Sequence, residues 1–171
     1  MAIHRLNHAV LYIGDLARST AFYRDQLGFE VVSEMRGGAF LRAPGSDNDH
    51  DLGLFALGDG AQASDAGTRT VGLYHLAWEV DTLGELADLA IALRESGALV
   101  GASDHGTTKS LYVRDPDGLE LELVWLIPAD LIDDRDLAAK TTIAALDLDA
   151  ELARFGADAR SGLGVSRPSG V

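Results

Sequence analysis

The sequence predicts an α+β fold made of two copies of one strand–helix–strands unit. Two observations predict it. A short strand-like segment carrying a histidine opens each copy, residues 6–11 around His8 and residues 73–78 around His75. Each is followed by a capped helix pattern and then by several more strand-like segments. A third observation suggests what the repeat is for. Glu122 lies in a strand just after the turn Asp115-Pro116-Asp117-Gly118, and it adds a carboxylate to the two imidazoles.

In the first copy, Asp15 can cap a helix that runs to about Leu27, and Gly28 can end it. Strands are expected over 29–36, 39–43 and 51–57. Residues 58–71, rich in Gly, Ala, Ser and Asp, read as a linker. The modules are therefore about 1–57 and 72–127, within a single domain spanning 1–127. In the second copy, Thr82-Leu83-Gly84-Glu85 is a capping-box pattern. It opens a helix through Leu86, Leu89, Ala90 and Leu93, which Gly97 closes. Strands are expected over 99–102, 109–114 and 119–127. Residues 128–171 form a C-terminal extension. Its stretch 149–155 fits a short amphipathic helix, and disorder is expected from Gly156.

Alternation along the strands separates a core face from a second face. In residues 73–80, Tyr74, Leu76, Trp78 and Val80 fall on one side, and His75, Ala77 and Glu79 on the other. In 119–125, Leu119, Leu121, Leu123 and Trp125 oppose Glu120, Glu122 and Val124. Side chains alternate across a strand, so the apolar sets can pack under helices while His75 and Glu122 point away from them. Glu79 and Glu120 share that second face and are candidates for supporting contacts. Taken singly, a strand histidine such as His8 or His75 is more often hydrogen-bonded structure than a ligand, and His4 reads as surface. The combination of two imidazoles and one carboxylate is what marks a metal site open for chemistry.

The bulk properties narrow the class. With 171 residues the chain can bury a core without staples. It has no cysteine, so disulfides and thiolate metal sites are excluded. A formal net charge of −13 disfavours nucleic acid and anionic membranes as partners. No apolar run is long enough to span a bilayer, and residues 1–6 carry no signal-peptide pattern, so a cytoplasmic protein is expected.

The residues 6–28, 72–85 and 104–125, the last reading "DHGTTKSLYVRDPDGLELELVW", resemble the vicinal oxygen chelate superfamily of glyoxalases, bleomycin-resistance proteins and type I extradiol dioxygenases. The resemblance covers about residues 1–127. It implies paired βαβββ modules forming an incomplete barrel around a metal. The extradiol branch in particular implies Fe(II), with Mn(II) as the alternative, held by His8, His75 and Glu122. It further implies His50 as acid/base catalyst, and His105 and Tyr112 as pocket residues that hold substrate or relay protons. The substrates would be a catechol-type ring and O2, and a homo-oligomer is expected. Phe40, Leu54 and tail residues are candidate pocket walls. A glyoxalase-type site normally takes a fourth ligand from the strand over 51–57, near Gly53 or Leu54, and neither can bind metal. Two other readings stay open: a metal-free binder of aromatic antibiotics, and a glyoxalase-like lyase or isomerase.

Overall fold

The computed structural model describes residues 3, 5–64 and 69–162. His4 lies outside them. The chain divides into two compact units, residues 1–65 with 115–119, and residues 66–114 with 120–171.

The first unit contains β1 (Ala9–Ile13), α1 (Leu16–Leu27), β2 (Glu30–Met35), β3 (Gly38–Arg42) and β4 (Leu52–Ala56). Its sheet has the order β1-β4-β3-β2. β1 runs parallel to β4, and the other pairs are antiparallel. Asp15 caps α1 by accepting from the Arg18 N–H at 2.7 Å. Gly28 ends the helix at φ +75°, a left-handed conformation that glycine adopts without a Cβ penalty. Leu11, Ile13, Tyr23, Ala39, Leu41, Leu52 and Leu54 form its core. Each large aliphatic side chain among them contributes about 1.5–3 kcal/mol by burial.

The turn 115–119 belongs to this unit and does more than reverse the chain. Asp115 accepts from the Tyr23 hydroxyl at 3.1 Å and from the Leu119 N–H at 2.8 Å. Asp117 accepts from the Gly14 N–H, the Arg18 guanidinium and the Ser19 hydroxyl. The carboxylates of a turn that reads as generic in sequence thus anchor α1.

The second unit repeats the plan with β5 (His75–Glu79), α2 (Leu83–Glu95), β6 (Leu99–Asp104), β7 (Thr108–Arg114) and β8 (Glu120–Leu126). Then come α3 (Asp134–Ala139), β9 (Ala144–Ala145) and α4 (Leu148–Phe155). The sheet order is β5-β8-β7-β6-β9, with β5 parallel to β8. The duplication extends to irregularities. A bulge between Val31 and Ser33, beside Leu41 and Phe40, recurs between Leu99 and Gly101, beside Val113 and Tyr112. Both halves of the Thr82/Glu85 capping box form. The mixed α+β character and the paired modules expected from sequence are both present.

The extension differs from expectation at residues 156–162, where disorder was expected. The first amides of α2, Leu83 and Gly84, donate to Ala159 O and Ala157 O. Those groups have no partner within the helix itself. Trp125 Nε1 donates to Ala159 O at 2.9 Å, and the Gly162 N–H donates to Leu126 O at 2.9 Å. The small residues that suggest disorder by composition are what allow this approach: a Cβ at Gly162 would lie 2.5 Å from Pro128 Cα. Residues 163–171 lie outside the described residues.

Two carboxylates tie the fold to pH. The Arg154 guanidinium bonded to Asp136 holds that carboxyl below its ordinary value. Burial pushes Asp51 up, but donors from Ala43 N–H, Ser46 and Asn48 outweigh it, and the net shift is downward. A depressed folded value stabilises the fold above the unfolded value of about 3.9, and this stability is lost as pH falls through the folded value. Asp115, raised chiefly by burial, works in the opposite sense. Thermal unfolding followed from about pH 5 to pH 2.5 is expected to show a falling midpoint, and Asp136→Asn to flatten that fall. An unchanged slope in the variant would assign the acid sensitivity elsewhere.

Candidate functional site

The sequence singles out six residues, and the structure groups them as two sets, one in each unit. His8, just before β1, and His50, just before β4, belong to the first unit. Their rings lie 4.7 Å apart between centroids, and His50 is also 4.7 Å from Phe40. Each imidazole is oriented by a neighbour. His8 Nδ1 meets Asn7 Oδ1 at 2.7 Å, and His50 Nδ1 meets Asp49 Oδ2 at 2.9 Å. With Nδ1 protonated toward these oxygens, Nε2 of each ring is left as the basic nitrogen.

The loop that carries His50 is organised by Asp51. This buried carboxylate accepts from the Ala43 N–H at 2.8 Å and from Ser46 Oγ and Asn48 Nδ2, each at 2.7 Å. The same face of the sheet carries Val10, Tyr12, Phe40 and Phe55, and toward its β2 edge the Arg42–Glu30 ion pair. Phe40 and Phe55 meet edge to face at 5.8 Å, and Val10 and Tyr12 are exposed. Phe40 thus sits where a pocket wall was expected, but Leu54 does not. It is fully buried in the core, on the opposite side of β4 from Gly53 and Phe55.

The second unit gathers the other four residues. His75 Nε2 and Glu122 Oε2 are 3.1 Å apart. The Tyr112 hydroxyl donates to Glu122 Oε1 at 3.4 Å, and His105 Nε2 meets that hydroxyl at 3.0 Å. A phenol has one proton. If it points to Glu122, His105 must be the donor to the phenol oxygen, which requires a proton on Nε2. Burial first, and then the nearby Glu122 charge, push the Tyr112 hydroxyl up to about 12. It is therefore a neutral hydrogen-bond donor through the physiological range. Glu120, on the same face, holds the Tyr74 hydroxyl, whose ionisation its charge opposes. Glu79 is exposed.

The His75–Glu122 pair suits a divalent metal in its donor chemistry and spacing. Two donor atoms at right angles on a metal with bonds of about 2.1 Å lie about 3.0 Å apart. In addition, His75 Nδ1 is buried with no hydrogen-bond partner. It is not the nitrogen that faces Glu122: a metal shared with Glu122 would bind Nε2 and leave Nδ1 as the protonated nitrogen. Within either unit, among the described residues, no three His, Cys, Asp or Glu side chains form a metal-holding group.

Register reveals a relation the sequence only approximates. Glu122 pairs with Ala77, two residues past His75. In the first unit, the residue paired two past His8 is Gly53, opposite Val10. Phe40 pairs with Gly53 as Tyr112 pairs with Glu122. The copies are thus related position by position, and the carboxylate and phenol of one are a glycine and a phenyl ring in the other.

The model of the Glyoxalase/Bleomycin resistance protein/Dioxygenase superfamily matches residues 5–123. The chain belongs to this superfamily. It is 39% identical over 120 residues to biphenyl-2,3-diol 1,2-dioxygenase 3 of Rhodococcus globerulus, covering 70% of this chain and 62% of that one. It is 31% identical over 160 residues to catechol-2,3-dioxygenase of Bacillus subtilis (strain 168), covering 92% and 54%. The match thus spans less than two thirds of either dioxygenase. Lactoylglutathione lyase of Salmonella typhimurium is 29% identical over 129 residues, covering 70% of this chain and 91% of that one. Among solved structures, the glyoxylase/bleomycin resistance protein/dioxygenase domain from Frankia sp. EAN1pec superposes with a TM-score of 0.63 at 25% identity, covering 72% of this chain and 98% of that one. Among the described residues of this superfamily member, no helix is long and apolar enough to cross a membrane.

Sequence reading misses Asp51 as the organiser of the His50 loop, because a lone Asp in a Gly/Asp/Asn-rich stretch carries no signal of its own. Asp51→Ala strands three donors. It is expected to destabilise the protein by roughly 2–3 kcal/mol in urea unfolding and to make the loop over 43–51 more sensitive to protease. Wild-type stability in the variant would rule out this anchoring role.

Proposed function

We propose that the protein is an extradiol dioxygenase. It opens a catechol-type ring beside its two hydroxyls with O2, at an Fe(II), or alternatively Mn(II), held by His8, His75 and Glu122. The observation that carries this reading is the contact series His75–Glu122–Tyr112–His105, in which a metal-type donor pair is joined directly to a neutral phenol and an imidazole. His8 is assigned as the third ligand because it holds in the first module the place that His75 holds in the second, and its Nε2 is free of the Asn7 contact. When bound, the metal would acidify a catechol hydroxyl and connect ring and oxygen electronically.

The residues of the chain account for the rest. His50 is the proton carrier, taking a proton from a catechol hydroxyl and returning it later in the reaction. Its ring packs against Phe40, and a flat aromatic substrate suits such an apolar, aromatic surface. Tyr112, neutral at working pH, donates to a catecholate oxygen, and His105 orients that phenol.

The similarity to lactoylglutathione lyase supports a second reading, a metal-dependent lyase. Gly53 weighs against it, since the register-matched partner of Glu122 has no side chain with which to complete a four-ligand set.

The test is to load the protein with Fe(II) under anaerobic conditions and then add a panel of catechols and air. Oxygen uptake with a yellow ring-opened product is expected. Its absence across the panel, with metal bound, would reject the proposal. His50→Ala is expected to keep metal while losing turnover by about 10²-fold or more. His75→Ala and Glu122→Gln are expected to lose metal.

A further inference from the structure

Behind the face that carries Tyr112, strand β7 buries a lysine. Lys109 is 1% exposed. Its ammonium contacts Asp104 Oδ1 at 2.7 Å and Glu151 Oε2 at 3.4 Å, the latter an ionic contact without hydrogen-bond geometry. Asp104 ends β6, and Glu151 is on α4. A buried ammonium is tolerated only when paired, and a buried ion pair is weak evidence of stabilisation by itself. What this pair joins is more informative.

Asp104 Oδ1 also accepts the Gly106 N–H at 2.7 Å, so one carboxylate oxygen binds both Lys109 and the turn after His105. The turn is closed by His105 N–H to Thr108 O and Thr107 N–H to His105 O, each 3.0 Å. Helix α3 presses on the same turn. A Cβ at Gly106 would collide with Asp136 O, and would lie 2.7 Å from Lys140 N. Arg154 of α4 in turn grips Asp136 of α3 at 2.7 Å. The C-terminal helices are thus braced against the turn that sets the His105 ring, whose Nε2 meets Tyr112.

We propose that Lys109 is a positioning residue for the His105–Tyr112 pair. Its buried ammonium ties Asp104, at the root of the His105 turn, to Glu151 on α4, and through this tie the C-terminal extension fixes the imidazole that orients the phenol. The catalytic consequence rests on the function proposed above; the mechanical link does not.

Two variants test it in the full-length protein. Glu151→Gln removes one charge while keeping size and helix. Lys109→Met removes the hub. Hydrogen–deuterium exchange and steady-state kinetics on a turned-over catechol are read for both. In Glu151→Gln, exchange over residues 104–107 should accelerate about tenfold, while that over 120–126 stays at the wild-type rate. The kcat should fall about fivefold with KM within twofold, since the ring acts on turnover more than on binding. Lys109→Met should exceed both effects, and if it does not fold, Glu151→Gln decides alone. Wild-type exchange over 104–107 in the folded variant overturns the proposal, as does faster exchange with unchanged kcat. If the wild-type protein turns over no catechol, the functional reading fails, and the exchange result still decides whether Lys109 holds the turn.

Discussion

The candidate site depends on the parallel pairing of β5 with β8. That pairing sets Glu122 opposite Ala77 and so beside His75, two residues earlier on the same face. Strand side chains alternate with a period of two, so a slip of one residue would send either the imidazole or the carboxylate to the core side. The slip is opposed by the opposite face, where Leu121, Leu123 and Trp125 are buried beneath the helices. Burial of the apolar set is what holds the polar set in place.

The same backbone plan in the first unit carries different chemistry. Its register puts Gly53 and Phe40 where the second unit has Glu122 and Tyr112, and its face carries Phe40 and Phe55 beside the His8–His50 pair, with the Arg42–Glu30 ion pair on the same side. Duplication thus supplies two frames of matched geometry. One is furnished with acid, phenol and imidazole, and the other with hydrophobic surface and two imidazoles.

Much of this was legible in the sequence because it is written in short-range patterns. The repeat, the Asp15 and Thr82 caps, and the face shared by His75 and Glu122 all follow from spacing and alternation. The register that picks out Gly53 rather than Leu54 was not legible, because it depends on which residue of a parallel partner lies opposite, and local sequence does not encode that. Leu54 was misplaced for the same reason. Residues 156–162 were misjudged because Gly, Ala and Ser read as disorder by composition, whereas at Gly162 small size permits close packing on Pro128. The polar anchors Asp51, Asp115 and Lys109 escaped notice because each acts through partners distant in sequence or through backbone donors.

Anomalous diffraction from crystals of the Fe(II)-loaded protein, collected at the iron edge, tests the central claim most directly. The account predicts a single strong peak at bonding distance, about 2.0–2.3 Å, from His75 and Glu122, with His8 as the third protein ligand. A loaded crystal with no peak beside His75 and Glu122, or with its iron held by other side chains, would contradict it.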